Sequence, residues 1–217
     1  MAGPIHQTII FKVGVNKSEF QLDRELVSRH SNDLVRLGPT PANQNPCILL
    51  PEIDSDTFEY FRQFLANSTI PRQNSRSLGF KQRSSTEQLR QSKGARDWKE
   101  LKGVYLGQSL DSKSTSDDDC YPGGPFCHAR ACVFAQCYGI RNLRLLCLRK
   151  LCQSLDDFDA RKGAADIAEL SRYCRESENK DLNETVTQYV KYKKEELLKR
   201  DGLQEQDCKE LSERVKE

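Results

Sequence analysis

Thr8-Ile9-Ile10-Phe11-Lys12-Val13-Gly14-Val15-Asn16-Lys17-Ser18-Glu19-Phe20-Gln21-Leu22-Asp23 decides how this chain begins to fold. Ile9, Phe11, Val13 and Val15 alternate with Ile10, Lys12, Gly14 and Asn16, which is the period-two pattern of a half-buried strand. Asn16-Lys17-Ser18 makes a polar turn, and Phe20 and Leu22 resume the alternation, so a β-hairpin is predicted. Asp23 then stands at a helix N-cap position, where its carboxylate can accept a free backbone N–H. Leu26, Val27 and His30 share one side of the short helix that follows, and Ser31 can cap a further turn carrying Leu34 and Leu37.

Working outward, Cys47 to Leu50 is a short apolar run between Pro46 and Pro51, readable as a strand. Asp56 and Glu59 form an Asp-x-x-Glu variant of a capping box. Behind them Phe58, Phe61, Phe64 and Leu65 fall at helical spacing. Burial of the three phenylalanines is worth about 1.5–3 kcal/mol each, which marks them as core rather than a ligand box. After a long polar interval, Ala131, Phe134, Ala135 and Tyr138 form a helical stripe closed by Gly139 as C′ residue. Asn142 is the expected cap of the next helix, whose broad apolar side carries Leu143, Leu146, Cys147, Leu148, Leu151 and Leu155. Ile167, Leu170, Tyr173 and Cys174 mark a third helix. Leu182, Val186, Tyr189 and Val190 mark a fourth, with Asp181 and Glu184 as its expected cap.

The interval from Arg72 to Tyr121 is rich in Ser, Arg, Lys, Gln and Asp. Its few apolar residues, including Leu78, Phe80, Trp98, Leu101, Val104, Tyr105 and Leu106, cannot support a core of their own. Disorder is expected there, with a short helix near Trp98 to Tyr105. From Lys191 a charged helical tail is expected, interrupted at Gly202. The spacing of Leu197, Leu203, Leu211 and Val215 is too irregular for a coiled coil. The chain therefore divides into 1–71, a first folded part; 72–122, a basic insertion; 123–190, a second folded part; and 191–217, the tail. Each folded part has an apolar face that it cannot bury alone, so the two are expected to share one interior.

Composition narrows the function classes. The chain has 217 residues, with 36% hydrophobic residues and a mean hydropathy of −0.73. The shortfall from the usual 45–50% apolar content sits in the insertion and the charged end. A net charge of +2 gives no general pull toward nucleic acid or acidic membranes. No run approaches the ~20 apolar residues of a membrane span. Met1 to Gln7 lacks the charged start and apolar core of a signal peptide, so a cytoplasmic or nuclear protein is expected. The nine cysteines are odd in number. Cys132, Cys137, Cys147 and Cys152 fall inside helical patterns, which reads as reduced thiols serving as small core residues.

The ordered motifs resemble a known family. Val13-Gly14, then Phe20, Leu22, Asp23, Leu26 and Val27, then Ser31 and Leu34, resembles the opening of a BTB/POZ domain. Leu49-Leu50-Pro51 to Phe58 and Phe61 resembles the family's next strand and helix. His128-Ala129-Arg130-Ala131-Cys132-Val133-Phe134-Ala135, followed by Tyr138-Gly139-Ile140 and Leu143, is similar to fungal-type members, as is Ala164-Ala165-Asp166-Ile167. The likeness spans roughly 120 to 150 residues, within the usual size of a domain. It implies an α+β fold, a small mixed sheet packed by helices, here with a long insertion and extra C-terminal helices. Asp23 stands where the family usually has His, and Thr8 where an acidic residue often leads the first strand. The chain starts almost at that strand, leaving no room for the N-terminal segment that many members swap, so the swapped dimer is not expected.

Family members are scaffolds that form homo- or hetero-oligomers, and some bridge a cullin-type ubiquitin ligase to a substrate. The resemblance therefore implies an adaptor or oligomerisation module with protein partners, no cofactor and no catalysis. Two alternatives stand beside it. Cys120, Cys127, His128 and Cys132 carry atoms suited to zinc, although no Cys-x-x-Cys pair is present. Arg72, Arg76, Lys81, Arg83, Arg90, Lys93, Arg96, Lys99 and Lys102, with Trp98 and Tyr105 as stacking platforms, would suit a nucleic-acid contact, the less expected partner. An enzyme is the least expected class. His6, His30 and His128 lie in separate elements, Gly123-Gly124 is an isolated turn rather than a phosphate loop, and Cys47 has no arranged base.

Overall fold

A computed structural model describes residues 7–38, 47–68, 97–107, 124–158 and 164–198. The protein is mixed α+β. Strands β1 (Thr8–Val13) and β2 (Ser18–Asp23) form the predicted hairpin, followed by the short helices α1 (Arg24–His30) and α2 (Asn32–Arg36). Strand β3 (Cys47–Leu50) and helix α3 (Ser55–Ser68) complete the first part. Helix α4 (Trp98–Gly107) lies within the insertion. Then come α5 (Pro125–Cys137), α6 (Arg141–Asp156), α7 (Ala164–Glu176) and α8 (Lys180–Leu198).

The sheet order is β2-β1-β3, with β1 antiparallel to β2 and parallel to β3. Ile9, Phe11 and Val13 are buried on its inner face, with Leu22 of β2 and Ile48 and Leu50 of β3 beside them. Val15 does not continue that row: β1 ends at Val13, and Val15 is 92% exposed. Gly14 is the cause. It takes a φ of +72°, donates to the Leu50 carbonyl at 2.9 Å, and turns the chain off the strand. Leu37 is likewise exposed rather than packed on the α2 turn.

Phe58 is the centre of the interior. Its ring lies 5.0 Å from Phe11, 4.8 Å from Phe20, 5.6 Å from Phe61 and 6.1 Å from Phe134. Sheet, α3 and α5 are thus joined through one aromatic cluster. Leu143, Leu148 and Leu151 of α6, Ile167 and Leu170 of α7, and Val186 and Tyr189 of α8 extend the same buried cluster. The two sequence blocks share one interior.

Several boundaries and caps differ from the sequence reading. Asp54, not Asp56, caps α3, accepting from the Thr57 N–H at 2.8 Å. Asn179, not Asp181, caps α8, accepting from the Leu182 N–H at 3.0 Å. Helix α6 starts after Ile140 with no side-chain cap, so Asn142 lies inside its first turn. Helix α8 runs unbroken across the 190/191 boundary, and Leu197 is buried in the common interior. The expected short helix near Trp98 is present as α4. Its Trp98, Leu101 and Tyr105 are buried, so this piece of the insertion is part of the packed structure rather than tether. Residues 72–96, 108–122 and 199–217 lie outside the described residues, as do the expectations that fall on them.

Candidate functional site

The family-like motif residues are brought together, and most of them build the core. Val13, Leu22, Val27, Leu34, Phe58, Phe61, Ala129, Phe134, Ala135, Ile140 and Leu143 are buried in one cluster, with Phe20, Leu26, Val133 and Tyr138 half-buried against it. The polar motif positions form the joint between the two blocks. Asp23 caps α1 by accepting from the Leu26 N–H at 3.0 Å. Ser31 caps α2, accepting from the Leu34 N–H at 3.1 Å, and its hydroxyl donates to the Tyr138 carbonyl at 2.6 Å.

That carbonyl lies at the end of α5, where Gly139 at φ +66° closes a Schellman turn. Ile140 N–H donates to the Ala135 carbonyl at 2.8 Å and Gly139 N–H to the Gln136 carbonyl at 3.3 Å. A Cβ on Gly139 would stand 3.1 Å from Asp33 Oδ2. One serine thus stands between α1 and α2 and fastens them to the end of α5.

Arg130 lies over the Phe126 ring at 5.2 Å and pairs with Asp54 at 3.9 Å. His128 is 3% exposed, its Nδ1 is 3.2 Å from the Tyr60 hydroxyl, and the two rings meet edge to face at 5.7 Å. Burial, helped by the Lys150 ammonium, pulls its pKa down to about 4. Tyr60 is a contributor that sequence reasoning missed. It sits at helical spacing among the phenylalanines, but its partner lies 68 positions away and leaves no local signal.

Of the residues named for zinc and for nucleic acid, only part falls among the described ones. Cys120 lies outside the described residues. Burial pushes the Cys132 thiol up to about 12, and its sulfur meets the Asn179 amide at 3.6 Å rather than His128. The Cys147 thiol is raised by burial as well, so neither is a thiolate at neutral pH. Among the described residues no group of three or more His, Cys, Asp or Glu side chains is placed to hold a metal ion. Trp98 and Tyr105 are each 3% exposed and face the interior, so they cannot stack on bases. His30 packs edge-on to Phe64 at 5.1 Å. The seven described cysteines are free, and Cys132, Cys147, Cys152 and Cys174 are buried in the helical core.

One exposed large hydrophobic side chain, Leu49, lies on the sheet. The outer face carries Ile10 and Lys12 of β1, Glu19 and Gln21 of β2, and Cys47 and Leu49 of β3. Lys12 is registered against Glu19 on one side and Leu49 on the other. Leu49 is 64% exposed, and Ile10 and Cys47 are its partly exposed neighbours. β3 is an edge strand, with nothing paired beyond it among the described residues.

No protein-family model, no curated protein and no solved structure matches this chain. No described helix is long and apolar enough to cross a membrane.

Proposed function

We propose that this chain is a protein-interaction module of BTB/POZ type, an oligomerisation or adaptor scaffold of the kind that can present a substrate to a cullin-based ubiquitin ligase. One observation carries the reading: an exposed leucine, Leu49, on an edge strand whose outer face is apolar along Ile10 and Cys47. Such edges recruit a strand or an apolar patch from a partner unless they are guarded by charge, and the edge strand β3, Cys47–Leu50, carries no charged side chain. The order hairpin, helix pair, strand, helix and then paired helices agrees with the family likeness. So does the fastening of Ser31 to Tyr138, since both are motif positions. The buried thiols and the absorbed histidine favour binding over chemistry.

Sedimentation across a wide concentration range, paired with capture by an immobilised cullin, tests this. Self-association or cullin capture that weakens in a folded Leu49→Glu variant is expected. A monomer at every concentration that retains no cullin would overturn the proposal.

A further inference from the structure

Helix α4 is a weak helix in a strong seat. It is ten residues long, and isolated helices shorter than about 12–15 residues are marginal in water. Gly103 sits exposed in its middle, with open space where a side chain would be, which costs about 1 kcal/mol relative to alanine. Asp97 caps it, accepting from the Glu100 N–H at 2.8 Å. Its helical form is therefore a consequence of docking.

The seat is the groove between α6 and α8. Trp98, Leu101 and Tyr105, at i, i+3 and i+7, are the buried anchors. The Trp98 ring meets Tyr189 of α8 edge to face at 5.2 Å, and its Nε1–H donates to Asp156 of α6 at 3.3 Å. Lys102, one turn on, pairs with the same Asp156 carboxylate. Tyr105 reaches Thr185 of α8, whose own hydroxyl donates to the Asp181 carbonyl at 2.7 Å. Lys99, Glu100 and Gly103 face solvent. An amphipathic helix with three apolar anchors and one basic rim contact, laid in a two-helix groove, is the way a helical peptide ligand binds. In sequence α4 is separated from α3 by 69–97 and from α5 by 108–124, both predominantly polar.

We propose that the α6–α8 groove is a helix-binding site whose cis ligand is α4, exchangeable for a partner's amphipathic helix with the same pattern: aromatic, leucine at +3, basic residue at +4, aromatic at +7. Because α4 belongs to the same chain, its binding is intramolecular and a partner's helix competes poorly until α4 is weakened. The groove is thus autoinhibited in the resting chain. This inference does not rest on the sheet surface or on the family reading.

The test uses the full chain and a fluorescent synthetic peptide spanning Asp97 to Gly107. Full-length protein carrying Trp98→Ala and Leu101→Ala is expected to bind the peptide at least about tenfold more tightly than the unaltered protein. A peptide carrying Trp98→Ala should lose that binding. Lys102→Glu, at the rim and far from threatening the fold, should give a smaller rise in the same direction. Hydrogen exchange of the unaltered protein supplies the independent readout, with α4 amides exchanging through local opening while α6 and α8 stay protected. Exchange of all three helices as one cooperative unit would overturn the proposal. So would a Lys102→Glu protein that binds the peptide no better than the unaltered one.

Discussion

Acidification should weaken this protein through one buried imidazole. His128 is held neutral in the folded state at a pKa of about 4, against 6.5 in an open chain. Because the folded value is depressed, the stabilisation of the neutral form is fully present above pH 6.5. It is lost as pH falls toward 4 and is constant below that. At about 1.4 kcal/mol per pH decade, the gap between 6.5 and about 4 amounts to about 3 kcal/mol. For a domain of this size that is a fall in Tm of about 6–12 °C.

The geometry agrees with the direction. Nδ1 faces the Tyr60 hydroxyl, which can donate to a neutral ring nitrogen but must turn around once the nitrogen carries a proton, and the Lys150 ammonium opposes the new charge. His30 also has a lowered pKa, from burial and then Arg29, and contributes in the same sense. A His128→Gln variant is therefore the control. Urea unfolding at several values between pH 7.5 and 4 should show the unaltered protein losing about 3 kcal/mol more than the variant. Parallel curves for the two proteins would refute the reasoning, as would an NMR titration placing the His128 midpoint near 6.5.

Three further outcomes follow from the joint and the caps. Ser31→Ala removes both the α2 cap and the bond to the Tyr138 carbonyl, and should cost about 2–3 kcal/mol in urea unfolding. Gly139→Ala should cost about 1–2 kcal/mol, because the residue sits at φ +66° with its added carbon 3.1 Å from Asp33 Oδ2; Asp33→Ala in the same chain should recover only the part due to crowding. Asn179→Ala should cost about 1–2 kcal/mol through loss of the α8 cap, read as a lower thermal midpoint with helix content otherwise kept.

Much of this architecture is legible in the residues. The alternation in Thr8–Asp23 places β1 and β2, and the caps Asp23 and Ser31 stand where their hydroxyl or carboxylate precedes an apolar run. Gly139 is identified because a helix ending on a left-handed residue favours glycine. The missed caps share a cause. Asp54-Ser55-Asp56 offers three candidate acceptors within three positions and Asn179-Lys180-Asp181 two, and residue type alone does not say which of them caps the helix. Val15 falls outside β1 because a period-two pattern does not reveal that Gly14 has left the strand. Helix α4 is legible as a short helix from its i, i+3, i+7 stripe, but its docking into the core is not, because the interval as a whole is too polar to suggest burial. The Tyr60–His128 contact and the second role of Ser31 are long-range, spanning 68 and 107 positions, and have no local signature at all.

The distribution of the motif residues bears on where binding should be sought. A likeness carried by buried phenylalanines, a capping serine and a left-handed glycine speaks for a way of packing, since those side chains have no surface to offer. The proposed selection of partners then falls to surfaces other than that buried set. Leu49 and its neighbours on the sheet provide one such surface, and the α6–α8 groove under α4 provides another. The two differ in their electrostatics. On the sheet face the exposed Leu49 lies beside Ile10 and Cys47 on an uncharged strand, so salt should change capture through it little. The groove is rimmed by Asp156, already engaged with Lys102, so salt should loosen α4 and ease entry of a competing helix. Raising ionic strength would thus separate the surfaces in a single protein, leaving capture through Leu49 unchanged while increasing peptide exchange at the groove.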